Sequence, residues 1–269
     1  MTLFESAVLG VVEGLTEFLP VSSTGHLILA SHFFGFEQTP ATEAFDVVIQ
    51  SGAMFAVIWH YRKLLSDLIK GFFKGSSDAR QRVVALFLAF CPAAIIGLLF
   101  HKRIKEMLFG VGPVAGALIV GGIIMIIVER RLRKTAAREF RFNADQNPSA
   151  LTALKIGFYQ CLALWPGTSR SMATILGGRL CGLNGPKAAE FSFLLAIPTL
   201  LAAGALDTYK HGHEMLQNIG WGPILMGLVV SFLVSLLVVR LFLEFLRSYS
   251  LEVFGWYRIA AGILIWIFK

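Results

Sequence analysis

Apolar residues in this chain are gathered into six long runs separated by shorter polar stretches. Each run holds 16–18 residues, which gives about 24–27 Å of helix at 1.5 Å per residue. That length can cross a hydrocarbon core of roughly 30 Å when flanking residues anchor the ends. The pattern therefore predicts about six transmembrane helices, over residues 45–60, 83–100, 113–128, 191–206, 222–239 and 253–268.

Two further apolar stretches are interrupted by polar residues. The first covers residues 3–36 and is broken by Pro20-Val-Ser-Ser-Thr-Gly-His26. The second covers residues 151–183 and is broken by Pro166-Gly-Thr-Ser-Arg-Ser171. Each half is too short to span a membrane, so both stretches are predicted to be re-entrant helix-loop-helix hairpins.

The two broken stretches correspond to each other, which indicates an internal repeat. An offset of 146 residues pairs Pro20 with Pro166, Ser22 with Thr168, Ser23 with Ser169, Pro40 with Pro186 and Phe45 with Phe191. Upstream, an offset of 147 pairs Gly10 with Gly157, Glu13 with Gln160 and Leu15 with Leu162. We therefore expect a single membrane domain over 1–269, with repeat 1 at about 1–146 and repeat 2 at about 147–269.

Composition and charge support a membrane protein. Hydrophobic residues make up 56% of the chain and charged residues 15%, against about 25% charged residues in a soluble domain. The net charge is +7, but residues 1–61 contain no Lys or Arg, and half of the basic residues lie within 62–82 and 130–141. Such clusters between apolar runs are typical of cytoplasmic loops, and no nucleic-acid partner is expected. Cys91, Cys161 and Cys181 lack metal-binding spacing and are expected to be reduced thiols.

The charge pattern also predicts a topology. If residues 62–82 and 129–141 are cytoplasmic, the first broken stretch enters from outside and the second from the cytoplasm. Each repeat then has three spans and one hairpin, and the odd number of crossings inverts repeat 2 relative to repeat 1. Inverted repeats with broken helices place their site near the membrane midplane, where irregular backbone must be buried or line a water-filled cavity.

The first break carries acidic and hydroxyl groups. Glu13 and Glu17 are spaced i, i+4 and share one face of a helix, where two carboxylates suit a divalent cation or acid–base chemistry. The alternative is an interfacial helix with its acids in water. The remaining candidates are phosphate-binding hydroxyl and backbone groups and a proton-exchanging imidazole: Ser22, Ser23, Thr24, Gly25 and His26.

The second break carries a guanidinium between hydroxyls. Ser169, Arg170 and Ser171 begin a half-helix, where backbone N–H groups favour an anion and an arginine fork matches phosphate oxygens. The alternative is a juxtamembrane arginine among lipid head groups. Glu13, Glu17 and Arg170 facing lipid would together cost roughly 7–10 kcal/mol. They are therefore expected to pair, to bind ions or to line water.

The motif from Glu13-Gly-Leu-Thr-Glu17 through Pro-Val-Ser-Ser-Thr-Gly-His26, with Pro166-Gly-Thr-Ser-Arg-Ser-Met-Ala-Thr174, resembles the undecaprenyl-diphosphate phosphatase family, also called the bacitracin-resistance family. The resemblance extends over the whole chain. It implies an all-α polytopic enzyme of the bacterial inner (plasma) membrane that hydrolyses a C55 isoprenyl diphosphate and recycles the peptidoglycan lipid carrier. It also implies a divalent cation, Mg²⁺ or Ca²⁺, and an active site that opens to the periplasmic face.

Together these observations give a mechanistic hypothesis. Arg170, with Ser169, Ser171 and Thr174, would hold the diphosphate, and Glu13 and Glu17 would hold the metal. Ser23 is the expected nucleophile, with Glu17 or His26 as its base, although direct attack by water is also open. The alternative function is a lipid-phosphate flippase or secondary transporter, because inverted repeats with a midplane anion site occur there too. The expected partners are the lipid substrate and membrane lipids. Assembly into a homodimer is also open.

Overall fold

The computed structural model describes residues 1–36, 39–108, 110–136 and 147–267. Within these ranges the chain forms helices and no strand. The helices are α1 (Leu3–Thr16), α2 (Ser23–Phe33), α3 (Pro40–His60), α4 (Arg62–Phe73), α5 (Ser77–Leu108), α6 (Val111–Ala136), α7 (Ala150–Gln160), α8 (Arg170–Leu180), α9 (Gly185–Asn218), α10 (Trp221–Ser248) and α11 (Glu252–Ile267), with a 3₁₀ turn at Cys161–Leu164.

All six predicted spans are helical. Among the described residues, five helices are long and apolar enough to cross a membrane: α3, α5, α6, α9 and α10. The sixth, α11, has 16 described residues, and position 268 of the predicted span lies outside the described residues. The protein is therefore an all-α polytopic membrane protein.

Both predicted breaks separate short helices. The first hairpin joins α1 to α2 through residues 17–22, and the second joins α7 to α8 through the 3₁₀ turn and residues 165–169. The helix that follows each hairpin begins at a well-formed cap, where Thr39 and Asn184 accept hydrogen bonds from the backbone N–H groups of Thr42 and Lys187. A proline in the first turn of α3 and of α9 fits the same position, because it has no N–H to leave unpaired.

The basic segment 62–82 was predicted to be a cytoplasmic loop, but part of it is helical. Residues Arg62–Phe73 form α4, whose apolar side chains recur at helical spacing between basic residues. Only Leu68 is buried, whereas Ile69 and Phe73 are exposed. A helix with this pattern is typical of the membrane interface. In the second basic cluster, Arg138 and Arg141 lie outside the described residues.

The helices pack crosswise between the two halves of the chain. α1 lies against α10 and α7 against α5, while α3 packs on α9 and α6 on α11. The glycines that the repeat pairs occupy matching close contacts. A Cβ on Gly10 would lie 2.7 Å from the Gly227 carbonyl oxygen of α10, and one on Gly157 would lie 2.6 Å from the Ala89 carbonyl oxygen of α5. This arrangement is what two inverted repeats would produce, and the repeat itself stays a prediction.

Candidate active site

Each hairpin break ends at a serine with a strained backbone. Ser22 has φ +72° and Ser169 has φ +73°, and they are the only non-glycine residues with positive φ in the described ranges. Such conformations cost about 1–3 kcal/mol each and persist where the surrounding structure enforces them. Ser22 and Ser169 thus occupy matching positions before α2 and α8. In the breaks, the backbone therefore aligns Ser22 with Ser169, an offset of 147 residues. This is one more than the offset of 146 that aligns Pro20 with Pro166.

A buried arginine on α11 holds both breaks in place. Arg258 is fully buried and donates to the Pro20 carbonyl at 3.2 Å and to the Gly167 carbonyl at 2.9 Å. It also donates to the Ala117 carbonyl of α6 at 3.1 Å. Arg258 was not predicted to be a site residue, because it lies inside an apolar run that was predicted only as a membrane span. A single arginine in that apolar run was the available signal, since buried charges in membranes need partners.

The two breaks meet at one cavity of about 510 Å³. The first break contributes Glu17, Ser22, Ser23 and Thr24 to its wall, and the second contributes Pro166, Gly167, Ser169 and Arg170. Gln50 of α3, Ala163, Trp165 and Leu200 complete the wall.

Glu17 connects the two breaks chemically. The Ser23 hydroxyl donates to Glu17 Oε2 at 2.6 Å, and Arg170 Nη2 donates to Glu17 Oε1 at 3.1 Å. The Arg170 and Glu17 side chains are 10% and 6% exposed. In such a setting the carboxylate and the guanidinium each supply the partner that a buried charge needs. One carboxylate therefore touches both a hydroxyl and a cation at the cavity wall.

The Arg170 guanidinium is fixed from its other side by α9. Its Nη1 donates to the Ser192 carbonyl oxygen at 2.8 Å and to the Ser192 hydroxyl at 3.3 Å. Thr174 shares a 2.6 Å hydrogen bond with the Ser192 hydroxyl. Thr174 thus supports Arg170 from behind and does not line the cavity. Ser192 was not recognised from the sequence, where it is one polar residue within an apolar run.

Ser169 and Ser171 stabilise the second break and tie it to the first. The Ser169 hydroxyl accepts from the Met172 backbone N–H at 3.2 Å, which caps α8, and it lies 3.0 Å from the Ser171 hydroxyl. Ser171 in turn donates to the Leu19 carbonyl oxygen at 2.8 Å. Of these two serines only Ser169 lines the cavity.

The sequence that forms this site matches a known protein family. Residues 6–264 match the family described as bacitracin resistance protein BacA. The chain belongs to this family.

Three curated relatives carry the name undecaprenyl-diphosphatase. One from Sorangium cellulosum is 52% identical over 270 residues, covering 98% of this chain and 86% of the relative. One from Nitrosomonas europaea is 46% identical over 267 residues, covering 98% and 94%. Undecaprenyl-diphosphatase 3 of Acinetobacter baylyi is 46% identical over 265 residues, covering 97% and 96%.

In this BacA family member, His26 and Gly25 lie behind the cavity wall. His26 Nδ1 is 2.8 Å from the Ser22 carbonyl oxygen, and Nε2 is 2.6 Å from the Tyr257 hydroxyl. Both ring nitrogens are therefore engaged, and neither contacts Ser23. Gly25 packs beneath α6, where a Cβ would meet Val114 and Leu118 at 3.5 Å. The geometry thus gives Glu17 direct contact with the predicted nucleophile.

Glu13 is the member of the acidic pair that the protein leaves without hydrogen bonds. Its side chain is fully buried, and neither carboxylate oxygen has a hydrogen-bond partner among the described residues. It interacts electrostatically with Glu17, Asp46 and Arg170. No group of three or more His, Cys, Asp or Glu able to hold a metal occurs in the described ranges. Two carboxylates still fit Mg²⁺, which is commonly bound by one or two carboxylates together with water and substrate phosphates.

The BacA chain also directs two helix N-termini at the cavity. Ser23 and Thr24 open α2, and Arg170 opens α8, and all three line the wall. The first N–H groups of a helix lack intrahelical partners, and the helix dipole adds positive potential at this end. Together with Arg170 this arrangement favours an anionic group such as phosphate.

Proposed function

We propose that this chain is an undecaprenyl-diphosphate phosphatase, which hydrolyses the terminal phosphate of a C55 isoprenyl diphosphate to give undecaprenyl phosphate and inorganic phosphate. The observation that carries the proposal is Glu17, which joins the Ser23 hydroxyl to the Arg170 guanidinium at a cavity between two helix N-termini. BacA family membership and the names of the relatives support the same reaction. The product would re-enter peptidoglycan synthesis as lipid carrier, which would confer resistance to bacitracin.

Binding of the diphosphate follows from the positive groups at the cavity. Arg170 and the N–H groups that open α2 and α8 would hold the phosphate oxygens, with hydroxyl donors from Ser22, Thr24 and Ser169. Arg170 is held by Glu17 and Ser192, so its charge is already oriented before substrate arrives. Orientation of this kind stabilises the charge that develops on phosphoryl oxygens in the transition state.

Ser23 is the proposed nucleophile and Glu17 its base. A bond would form between Ser23 Oγ and the terminal phosphorus while the bond from that phosphorus to the bridging oxygen breaks, and undecaprenyl phosphate would leave. The hydroxyl proton would pass to Glu17 Oε2, which already accepts from Ser23 at 2.6 Å. A water molecule would then hydrolyse the phosphoserine, release inorganic phosphate and restore the Ser23 hydroxyl.

A divalent cation, Mg²⁺ or Ca²⁺, is part of the proposal. Glu13 and Glu17 would hold it, because they share a helix face and Glu13 has no hydrogen bond to lose. When bound, the cation would neutralise phosphate charge at the cavity. The apolar helices make the protein multi-pass, and we propose that it resides in the bacterial inner membrane with its cavity open to the periplasmic face.

The experiment that tests the function measures phosphate release. Purified protein in detergent would be given undecaprenyl diphosphate with and without EDTA, and release is expected only without the chelator. Ser23→Ala is expected to lower turnover by about 10³-fold or more. Ser31→Ala is the matched control, because Ser31 is a buried serine on the same helix outside the cavity wall.

Two results would overturn the proposal. A folded wild-type protein that moves lipid phosphate across vesicles but releases no phosphate would be a carrier. Near-normal turnover by Ser23→Ala would exclude the phosphoserine step and leave direct attack by water.

A further inference from the structure

A lateral groove runs beside the cavity on the outer surface of the helices. It has a volume of about 930 Å³ and lies between α5 and the 3₁₀ turn. On α5 its wall is a stripe of residues four apart, Ile96, Phe100, Ile104 and Leu108, together with Arg103. On the turn it is formed mainly by Leu162 and Leu164. Residues four apart share one helix face, so the stripe extends about 18 Å along the helix axis.

The groove and the phosphate cavity share a wall. Trp165 lines both, Ala163 lines the cavity, and the leucines on either side of Ala163 line the groove. The Trp165 indole N–H donates to the Pro113 carbonyl oxygen at 3.2 Å, which fixes the shared side chain against the start of α6. The lateral groove therefore begins at the wall that it shares with the phosphate cavity.

A second apolar groove on the molecule shows why this continuity matters. It has a volume of about 640 Å³ and is lined by α6 and α11, including Gly116, Val120 and Trp266. None of its lining residues borders the phosphate cavity. Any membrane protein offers such surfaces to bulk lipid. Of these two apolar grooves, the lateral groove is the one that shares a wall with the phosphate cavity.

We infer that the lateral groove binds the isoprenyl chain of the substrate, with the units nearest the diphosphate packed between the α5 stripe and the turn and the remainder in the bilayer. This inference rests on the proposed function. It makes the 3₁₀ turn and Trp165 a specificity element, because residues 161–165 lie between the polar cavity and the apolar groove and would separate the two parts of one lipid. Leu162 and Phe100 are 55% and 45% exposed, so an isoprenyl chain can pack against both in place of bulk lipid and gain van der Waals contacts.

The first test compares chain lengths. Phe100→Ala with Leu162→Ala removes groove surface from partly exposed positions, so folding is expected to be retained. The double variant should lose about tenfold in kcat/KM for undecaprenyl diphosphate and change less than about twofold for dimethylallyl diphosphate, whose single isoprene unit cannot extend along the groove. Val120→Ala in the second groove is the matched control and should change neither value. Equal losses for both substrates, or none for either, would overturn the inference.

The second test does not depend on turnover. Cys161 lines the lateral groove, so in a Cys91→Ser, Cys181→Ser background it can be labelled with a lipophilic maleimide. A non-hydrolysable methylene bisphosphonate carrying the C55 chain should slow labelling at least about tenfold, and inorganic pyrophosphate should not. Val120→Cys, in a background that also carries Cys161→Ser, should be unprotected. Equal protection at both sites would mean unspecific lipid displacement and overturn the inference.

The two tests separate the inference from the proposed function. If wild-type protein releases no phosphate from any diphosphate, the phosphatase proposal fails, and labelling of Cys161 still decides whether an isoprenyl chain occupies the groove. If phosphate release is normal and Cys161 is not protected, only the groove assignment fails.

Discussion

At the scale of single residues, Glu17 is the point at which the candidate site is held together. It accepts from a serine of its own hairpin and from an arginine of the other. In the proposed mechanism, Glu17 takes the proton of Ser23 while Arg170 stabilises the charge of the carboxylate. The chemistry of the first break therefore depends on a cation supplied by the second.

Arg170→Lys should show whether the planar fork matters beyond its charge. A lysine would keep the charge but cannot contact both Glu17 and Ser192 as the guanidinium does. We expect kcat to fall by about 10²–10³-fold, measured by phosphate release. Arg247→Lys, at an exposed ion pair on α10, should leave kcat unchanged. Full activity of Arg170→Lys would show that a point charge is sufficient.

Glu13→Gln should change the metal requirement. The buried Glu13 carboxyl group lacks a hydrogen-bond partner among the described side chains, and an amide has nearly the same shape but cannot become an anionic metal ligand. The Mg²⁺ concentration for half-maximal activity should rise by about tenfold or more. Glu244→Gln, at an exposed glutamate, serves as the control. An unchanged Mg²⁺ dependence would remove Glu13 from the proposed ligands.

Sequence alone placed most of the residues of the cavity, and the roles assigned to them stay predictions. Glu17, Ser23 and Arg170 were predicted to meet, and they do, because both breaks are marked by proline and hydroxyl residues. Ser192 and Arg258 were missed because each is a polar residue within an apolar run. Ser192 contacts the Arg170 guanidinium and the Thr174 hydroxyl, whereas Arg258 donates to backbone carbonyls of both breaks. Long-range contacts of this kind leave no local pattern.

At the scale of helices, α11 and α6 support both hairpins. Arg258 binds a carbonyl of each break and one of α6. The long apolar runs in the sequence predicted these two helices, because such runs are the clearest signal of a membrane-spanning helix. It could not predict α4 as a helix within a basic segment, because charge clusters there were interpreted only as loop signals.

Arg258→Met should disturb the site from a distance. The Pro20 and Gly167 carbonyl oxygens would lose their donor, and the two breaks would shift relative to each other. We expect kcat to fall about 100-fold, the size expected for a misplacement of about 1 Å, with Arg258→Lys between this variant and wild type. The measurement is phosphate release, and Arg240→Met at an exposed position on α10 is the control. Wild-type kcat in Arg258→Met would refute this role.

Gly122→Ala should weaken the packing of α6 on α11. A Cβ there would lie 2.6 Å from the Gly255 carbonyl oxygen and 2.9 Å from Ile259 Cγ1, so the helices would have to separate, at a cost of about 1–3 kcal/mol. Gly116→Ala on the same helix has no atom within 4 Å and should be neutral or stabilising. Thermal unfolding in detergent compares the two, and equal midpoints would contradict the packing argument.

At the scale of the whole molecule, the helices of the two predicted repeats pack against each other. Helices α1 and α7 each pack on a helix of the other half, and each half supplies one hairpin to the cavity. Neither half contains both Ser23, the proposed nucleophile, and Arg170. The predicted inversion of the repeats explains this exchange, because it turns the second hairpin to face the first.

Labelling in cells can test the inversion. In a background without the native cysteines, Ser76→Cys and Gln217→Cys place thiols at exposed positions before α5 and at the end of α9. An impermeant maleimide should label position 217 in intact spheroplasts and position 76 only after permeabilisation, because the topology puts them on opposite sides. Labelling of both from the same side would exclude the inverted arrangement.

The contacts of Arg258 also have a consequence for biosynthesis. α11 is the last described helix, and the guanidinium of its Arg258 connects the Pro20 and Gly167 segments. A nascent chain that has already inserted Ser23 and Arg170 still lacks this connection until α11 leaves the ribosome and enters the bilayer. Partly translated copies that lack α11 should therefore be inert towards lipid diphosphates, so the order in which the helices enter the membrane decides when the site becomes competent.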